Sequence, residues 1–168
     1  MIEVTIYSVL YSLLTRHRIV LLKEVMGERY LPIWIGIPES DAIANHLQGT
    51  TIPRPLTHDL LLNVIRELNG TVHYIVINDL ADDTFFARIG VEHDGQIKLI
   101  DARPSDAMAL GVRANVPIYV EPAVLARAGI LESPDIRGQD AASETSDEEL
   151  GAFREFLDTL DLDKLEGD

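Results

Sequence analysis

No cysteine occurs in the 168 residues, which excludes disulfides, thiol nucleophiles and thiolate metal sites and fits a reducing compartment. Long apolar runs are also missing, and none approaches the ~20 residues a bilayer-spanning helix needs. The opening Met1-Ile2-Glu3-Val4-Thr5 has an early acid and no basic stretch leading into an apolar one. No signal peptide is evident, and a cytoplasmic location without membrane contact is expected. The absence of any Lys/Arg-rich segment argues against non-specific tracking along a nucleic-acid backbone. H-x-x-x-H, EF-hand, P-loop, G-x-G-x-x-G and G-x-S-x-G patterns are all absent, so no organic cofactor is expected.

What is present is an uneven charge. The formal net charge is −14, yet 13 acids and 3 bases lie from Leu131 to Asp168, leaving 15 acids and 11 bases in residues 1–130. The body is nearly balanced and the tail strongly acidic. A chain of this length suits one domain, able to bury roughly 70% of its unfolded surface. The composition divides it into a domain over 1–130, an acidic linker over 131–145, and a C-terminal amphipathic helix and tail over 146–168. Ser146-Asp147-Glu148-Glu149 forms a capping box, and Leu150, Phe153, Leu157 and Leu160 line one side of the helix it starts. Phe153 and Phe156 on that acidic helix need a dry surface, supplied by the same domain, by a second copy, or by a different protein partner.

Periodicity sets the rest. Ile2 to Leu14 reads as a strand, with Thr15-Arg16-His17-Arg18 as a turn. Ile19, Leu21 and Val25, then a turn around Met26 to Arg29, then Leu31, Ile33, Ile35 and Ile37 read as a hairpin, making three antiparallel strands in sequence. A second meander runs through Val72 to Ile77, the alternating Phe85, Ala87, Ile89 and Val91, and Ile97 to Ile100. Its last turn carries Asp94-Gly95, where glycine accepts the positive φ a tight hairpin requires. Leu61, Val64, Ile65 and Leu68 have the spacing of a core-facing helical stripe stopped by Gly70. Ala42, Ile43, His46 and Leu47 predict a shorter helix, and a third begins at Pro104 and runs to about Arg113. The fold class that follows is α+β: a mixed, largely antiparallel sheet with helices packed on it, plus the acidic C-terminal helix.

Three junctions share one design, an extended segment that turns into a helix with acids in its first turn: Ile37-Pro38-Glu39-Ser40-Asp41, Arg54-Pro55-Leu56-Thr57-His58-Asp59 and Asp101-Ala102-Arg103-Pro104-Ser105-Asp106. One reading is purely structural. Proline suits the first helical position, Thr57 is a good N-cap, and each acid complements the helix dipole by roughly 0.3–1 kcal/mol. The other reading is chemical. Ionised carboxylates at a helix start make poor general acids but good metal ligands, which nominates Asp59, Asp101 and Asp106. Neutral His58 can accept a proton or position water, and Arg54 and Arg103 beside exposed backbone N–H groups suit a phosphate. Glu39 and Ser105 are secondary candidates. Acids for a divalent cation (Mg²⁺ or Mn²⁺), a neutral base and phosphate-binding arginines are the parts of a metal-assisted phosphodiesterase. Because His58 and Asp59 are helical neighbours about 100° apart, they are not expected to hold one ion together.

These residues also carry a resemblance. Leu31-Pro32-Ile33-Trp34-Ile35-Gly36, Ala42-Ile43-Ala44, Arg54 to Leu60, Thr84-Phe85-Phe86-Ala87 and Ile100 to Ala107 closely resemble the bifunctional nuclease domain family, in order, over roughly Met1 to Val120. The resemblance implies a mixed α/β domain, a homodimer, and nuclease activity on DNA and RNA attributed to some members. The family pattern often has a small residue or glutamine after the first junction's glutamate, where this chain has Ser40-Asp41, and the acidic extension lies outside the shared region. The expected function is hydrolysis of phosphodiester bonds in DNA or RNA; the alternative is a non-catalytic regulatory module that binds a small anion or a protein.

Overall fold

The computed structural model describes residues 1–11 and 18–131. Strands β1 (Ile2–Tyr11), β2 (Arg18–Glu24) and β3 (Arg29–Ile35) pair antiparallel in chain order. Arg18, expected in a turn, instead opens β2 and pairs with both Tyr11 and Ile35. Strand β3 ends at Ile35, and its burial does not alternate as expected, since Tyr30, Leu31, Pro32 and Ile33 are all buried and both faces of the strand are covered there. Ile37 belongs to helix α1 (Ile37–Leu47). Pro38 follows it in the first helical turn, and a residue without an N–H is far better placed there than in a sheet ladder.

The second meander is β4 (Thr71–Ala81), β5 (Thr84–His93) and β6 (Gln96–Ala102). Asp94 and Gly95 both have positive φ, 52° and 73°, as a tight hairpin turn requires. Asp82 and Asp83 make a second such turn at 47° and 56°. Sequence had not marked that turn, which lacks glycine and rests on the tolerance of aspartate for the left-handed region. Helices α2 (Thr57–Glu67) and α3 (Pro104–Ala114) complete the pattern read from periodicity.

Three further elements were not legible in the sequence: β7 (Ile118–Val120), α4 (Pro122–Ala128) and β8 (Ile130–Leu131). The two strands have three and two residues, too few to display a period. Strand β7 nevertheless joins the meanders, pairing antiparallel with β1 and parallel with β4, so that one eight-stranded sheet runs β6-β5-β4-β7-β1-β2-β3-β8. The fold is therefore α+β with a mixed, mostly antiparallel sheet. Ser12 to Leu14 of the expected first strand, the turn residues Thr15 to His17, the acidic linker beyond Leu131, and the C-terminal helix lie outside the described residues.

Helix α3 packs against α1, α2, β4 and β5 and is buried over Pro104, Ser105 and Ala107 to Gly111. It is the central helix, and its start is held between the starts of the other two. The core around it gathers Leu22, Leu31, Ile43, Ile75, Ile77 and Leu110. Helix α2 departs from expectation. Of the stripe Leu61, Val64, Ile65 and Leu68 only Ile65 packs against the core; His58 and Leu62 are the buried positions, and Leu61, Val64 and Leu68 are exposed. Apolar residues on two sides of α2 leave its rotation undetermined by periodicity, and polar bonds from its first turn set it, as described below. In dilute solution Leu62→Ala should therefore cost about 3 kcal/mol in urea unfolding and Leu68→Ala under about 1 kcal/mol; the reverse order would restore the stripe read from sequence.

Candidate functional site

Helices α1, α2 and α3 each carry an acid as their third residue: Glu39 in α1, Asp59 in α2 and Asp106 in α3. A carboxylate at this position can turn back to cap its own helix or reach outward. Two reach outward and meet at Arg103, the N-cap residue of α3. Arg103 Nε donates to Asp106 Oδ2 at 2.8 Å, and Nη2 donates to Glu39 Oε1 at 2.7 Å and to Asp106 Oδ1 at 3.2 Å. Asp106 Oδ1 also lies 3.2 Å from His58 Nε2. A continuous polar chain Glu39–Arg103–Asp106–His58 thus joins the starts of all three helices.

Burial pushes the Asp106 carboxyl up, but the hydrogen bonds from Arg103 and His58 outweigh it and hold the group below the usual carboxylate range. Asp106 is then ionised at neutral pH and can only accept. The proton shared with His58 therefore belongs on Nε2, which leaves Nδ1 as the ring's acceptor. The His58 side chain is 11% exposed, Asp106 32% and Arg103 66%, so the chain runs from a sheltered imidazole to an open guanidinium. The Asp106 and Glu39 carboxylates raise the Arg103 pKa, Asp106 having the larger effect.

Asp59 is occupied elsewhere. Its Oδ2 accepts the Leu56 N–H at 2.8 Å, which makes Leu56 rather than Thr57 the N-cap, and its Oδ1 accepts Arg113 Nε at 2.6 Å. Only half a capping box forms, because leucine has no side-chain acceptor to return the bond. Arg113, 4% exposed, also donates to the carbonyls of Ala42 and Ala109. One buried guanidinium thereby ties α1, α2 and α3 together. Arg113 was missed in the sequence, where it is simply a base in the last turn of a helix and nothing marks its distant partner. The 100° between neighbouring helical residues lets His58 meet Asp106 while Asp59 meets Arg113. The two bonds together fix the rotation of α2.

The other candidates are dispersed. Asp101 is exposed on β6, in register with Arg88 of β5. Arg54 is exposed and makes no ion pair among the described residues. Ser105 is buried in the first turn of α3. The carboxylates nominated for a metal thus face different neighbours, and among the described residues no three His, Asp or Glu side chains stand together in an ion-binding arrangement. A shallow hollow of 180 Å³ lies beside Asp59 and Arg113, lined also by Asn45, His46, Thr50, Ile52 and Leu56. Neither His58 nor Asp106 lines it.

The sheet topology and the three joined helix starts define an α+β domain whose chemistry-bearing residues lie at helix N-termini, and comparison gives that class a family. The model of the bifunctional nuclease domain matches residues 20–133, and the chain belongs to that family. Among its relatives, an uncharacterized protein of Mycobacterium tuberculosis is 46% identical over 145 residues, covering 86% of each chain. Bifunctional nuclease 1 of Oryza sativa subsp. japonica and the bifunctional nuclease of Oryza minuta are each 26% identical over 107 residues, 62% of this chain and 32% of theirs. The chain spans about a third of those plant proteins. No described helix is long and apolar enough to cross a membrane.

The Asp59–Arg113 bond carries a testable pH dependence. Burial pushes the Asp59 carboxyl up, but the Leu56 N–H and Arg113 together hold it below the usual carboxylate range. A depressed carboxyl stabilises the fold above its unfolded pKa, and that contribution is lost as pH falls through the folded value. Asp59→Asn, which leaves Arg113 buried and unpaired, should cost about 2 kcal/mol at pH 7, a figure reduced from the range for fully buried pairs because Asp59 is partly exposed. The gap from wild type should shrink below about pH 4. Equal stability of the two proteins at pH 7 would show that the bond does not hold the helices.

Proposed function

We propose that this domain hydrolyses phosphodiester bonds in DNA, RNA or both, with the helix starts of α1, α2 and α3 as its site. The observation that carries the reading is the Glu39–Arg103–Asp106–His58 chain, in which an exposed guanidinium and a sheltered imidazole share one carboxylate. Family membership and the names of the plant relatives support the same reaction class.

In this reading Arg103 holds the scissile phosphate and stabilises the charge that gathers on its oxygens, with exposed Arg54, three residues before α2, as a second contact. His58 Nδ1 accepts the proton of the attacking water, and Asp106 orients the ring and supports the imidazolium that forms. Asp59 acts at one remove by holding α2 in place. Asp101, exposed on β6 two residues before Arg103, is retained as a water- or substrate-positioning candidate, and Ser105, in the buried first turn of α3, as a second-tier one. Among the described residues Asp59, Asp101 and Asp106 do not stand together as a cation site, so no step runs through Mg²⁺ or Mn²⁺. A divalent cation arriving with the substrate would offset the repulsion between an acidic protein and a polyanion.

The competing reading is a regulatory module that binds a small anion without hydrolysing it. What favours it is that both carboxylates beside Arg103 already neutralise its charge. Protein purified from a nuclease-deficient host and incubated with single- and double-stranded DNA and RNA, with Mg²⁺, Mn²⁺ or chelator, separates the two. The expected result is cleavage that falls about 10²–10⁴-fold in His58→Ala. Equal degradation by wild type and a His58→Ala, Asp106→Ala double variant would mark contamination and leave the binding module.

The homodimer implied by family likeness has a suitable surface on α2, where Leu60, Leu61, Val64 and Leu68 are exposed and the flanking Arg66 and Glu67 balance in charge. Two copies of an acidic chain can approach there without like-charge repulsion. Sedimentation at micromolar concentration should give a dimer for wild type and a monomer for a Leu61→Asp, Leu68→Asp variant. A monomeric wild type refutes the association.

A further inference from the structure

The donors of Arg103 are unequally spent. A guanidinium offers five N–H groups in a plane, arranged as a side-on edge of Nε and Nη2 and an end-on edge of Nη1 and Nη2. Asp106 takes the side-on edge with both of its oxygens, at 2.8 Å and 3.2 Å. The remaining Nη2 donor goes to Glu39 Oε1 at 2.7 Å. Nη1 donates to no described residue, although the side chain is 66% exposed. An outside anion can therefore form two parallel bonds only on the end-on edge, and half of that edge is held by Glu39.

Glu39 is seated there by its neighbour. Gly36, the N-cap residue of α1, has φ −70° and ψ 159°, a conformation open to any residue. Its hydrogen is required for room instead: a Cβ on Gly36 would overlap Glu39 Oε2. The carboxylate lies across the glycine, with one oxygen over the helix start and the other on Arg103. Its side chain is 15% exposed, so it is packed at the edge of the site rather than loose in solvent.

We propose that Glu39 is a displaceable carboxylate gate on Arg103. An incoming phosphate group replaces Glu39 Oε1 on Nη2, takes Nη1 with a second oxygen, and completes a bidentate pair that the gate had half occupied. This rests on the reading of Arg103 as the phosphate-binding residue, and adds that affinity is set by competition with an internal anion. Selectivity follows from the same geometry: a ligand with two oxygens spaced to match both nitrogens takes two straight bonds and repays the displacement, whereas a spherical anion such as chloride can reach the pair only through bent ones.

Inorganic phosphate titrated by calorimetry into the full chain tests the gate without requiring turnover. Glu39→Gln keeps the shape and removes the charge, and Gly36→Ala keeps the charge and unseats the carboxylate. Both variants should bind phosphate roughly fivefold or more tightly than wild type, as expected when a competing like charge is removed. Arg103→Gln should bind none. If Glu39 only orients Arg103, the first two variants will bind phosphate as weakly as wild type or more weakly; that overturns the gate while leaving the anion site standing. If wild type and Glu39→Gln both fail to bind, Arg103 is not a phosphate site and the gate falls with it.

Discussion

The Asp106 carboxylate is shared between a guanidinium and an imidazole, and most of the site's organisation follows from its staying ionised. Burial alone would favour the neutral acid, but the bonds from Arg103 and His58 reverse that preference. An ionised Asp106 can accept but not donate, so it selects the His58 tautomer and directs the free ring nitrogen away from itself. It also holds the side-on edge of Arg103, which turns the end-on edge toward Glu39 and solvent. A carboxylate protonated at this position would lose both constraints together.

The three helices begin alike and use their third-position acids differently. Asp59 caps its own helix and binds buried Arg113, so it serves the packing of α1, α2 and α3. Glu39 and Asp106 leave their own helix starts without side-chain caps and converge on Arg103. Similar local chemistry thus separates into one structural and two site-facing roles. The separation depends on where each helix start points, which in turn depends on the central position of α3.

Such a division bears on how an acidic protein can serve a polyanionic substrate. The described body carries no basic run, and its cations near the site are largely compensated: Arg103 by two carboxylates and Arg113 by Asp59. Arg54, exposed three residues before α2, is the exception. Attraction must therefore be local and conditional, through a guanidinium edge that becomes available when a carboxylate yields and through cations recruited with the substrate. Broad electrostatic steering does not suit this charge distribution.

The three joined strands at the start, the Asp94-Gly95 hairpin, the alternating core face of β5 and the start of α3 at Pro104 were all determined by local sequence, because each is dictated by periodicity or turn chemistry within a few residues. The shared design of the three strand-to-helix junctions likewise brought residues around positions 39, 58 and 103 forward as one group. Tertiary structure alone decided which side of α2 is buried, that Asp59 belongs to Arg113 while its neighbour belongs to Asp106, and that β7 welds the two meanders into one sheet. Those outcomes depend on partners dozens of residues away. A helix with apolar groups on two sides, or an acid at a third helical position, looks the same in sequence whichever partner it finds.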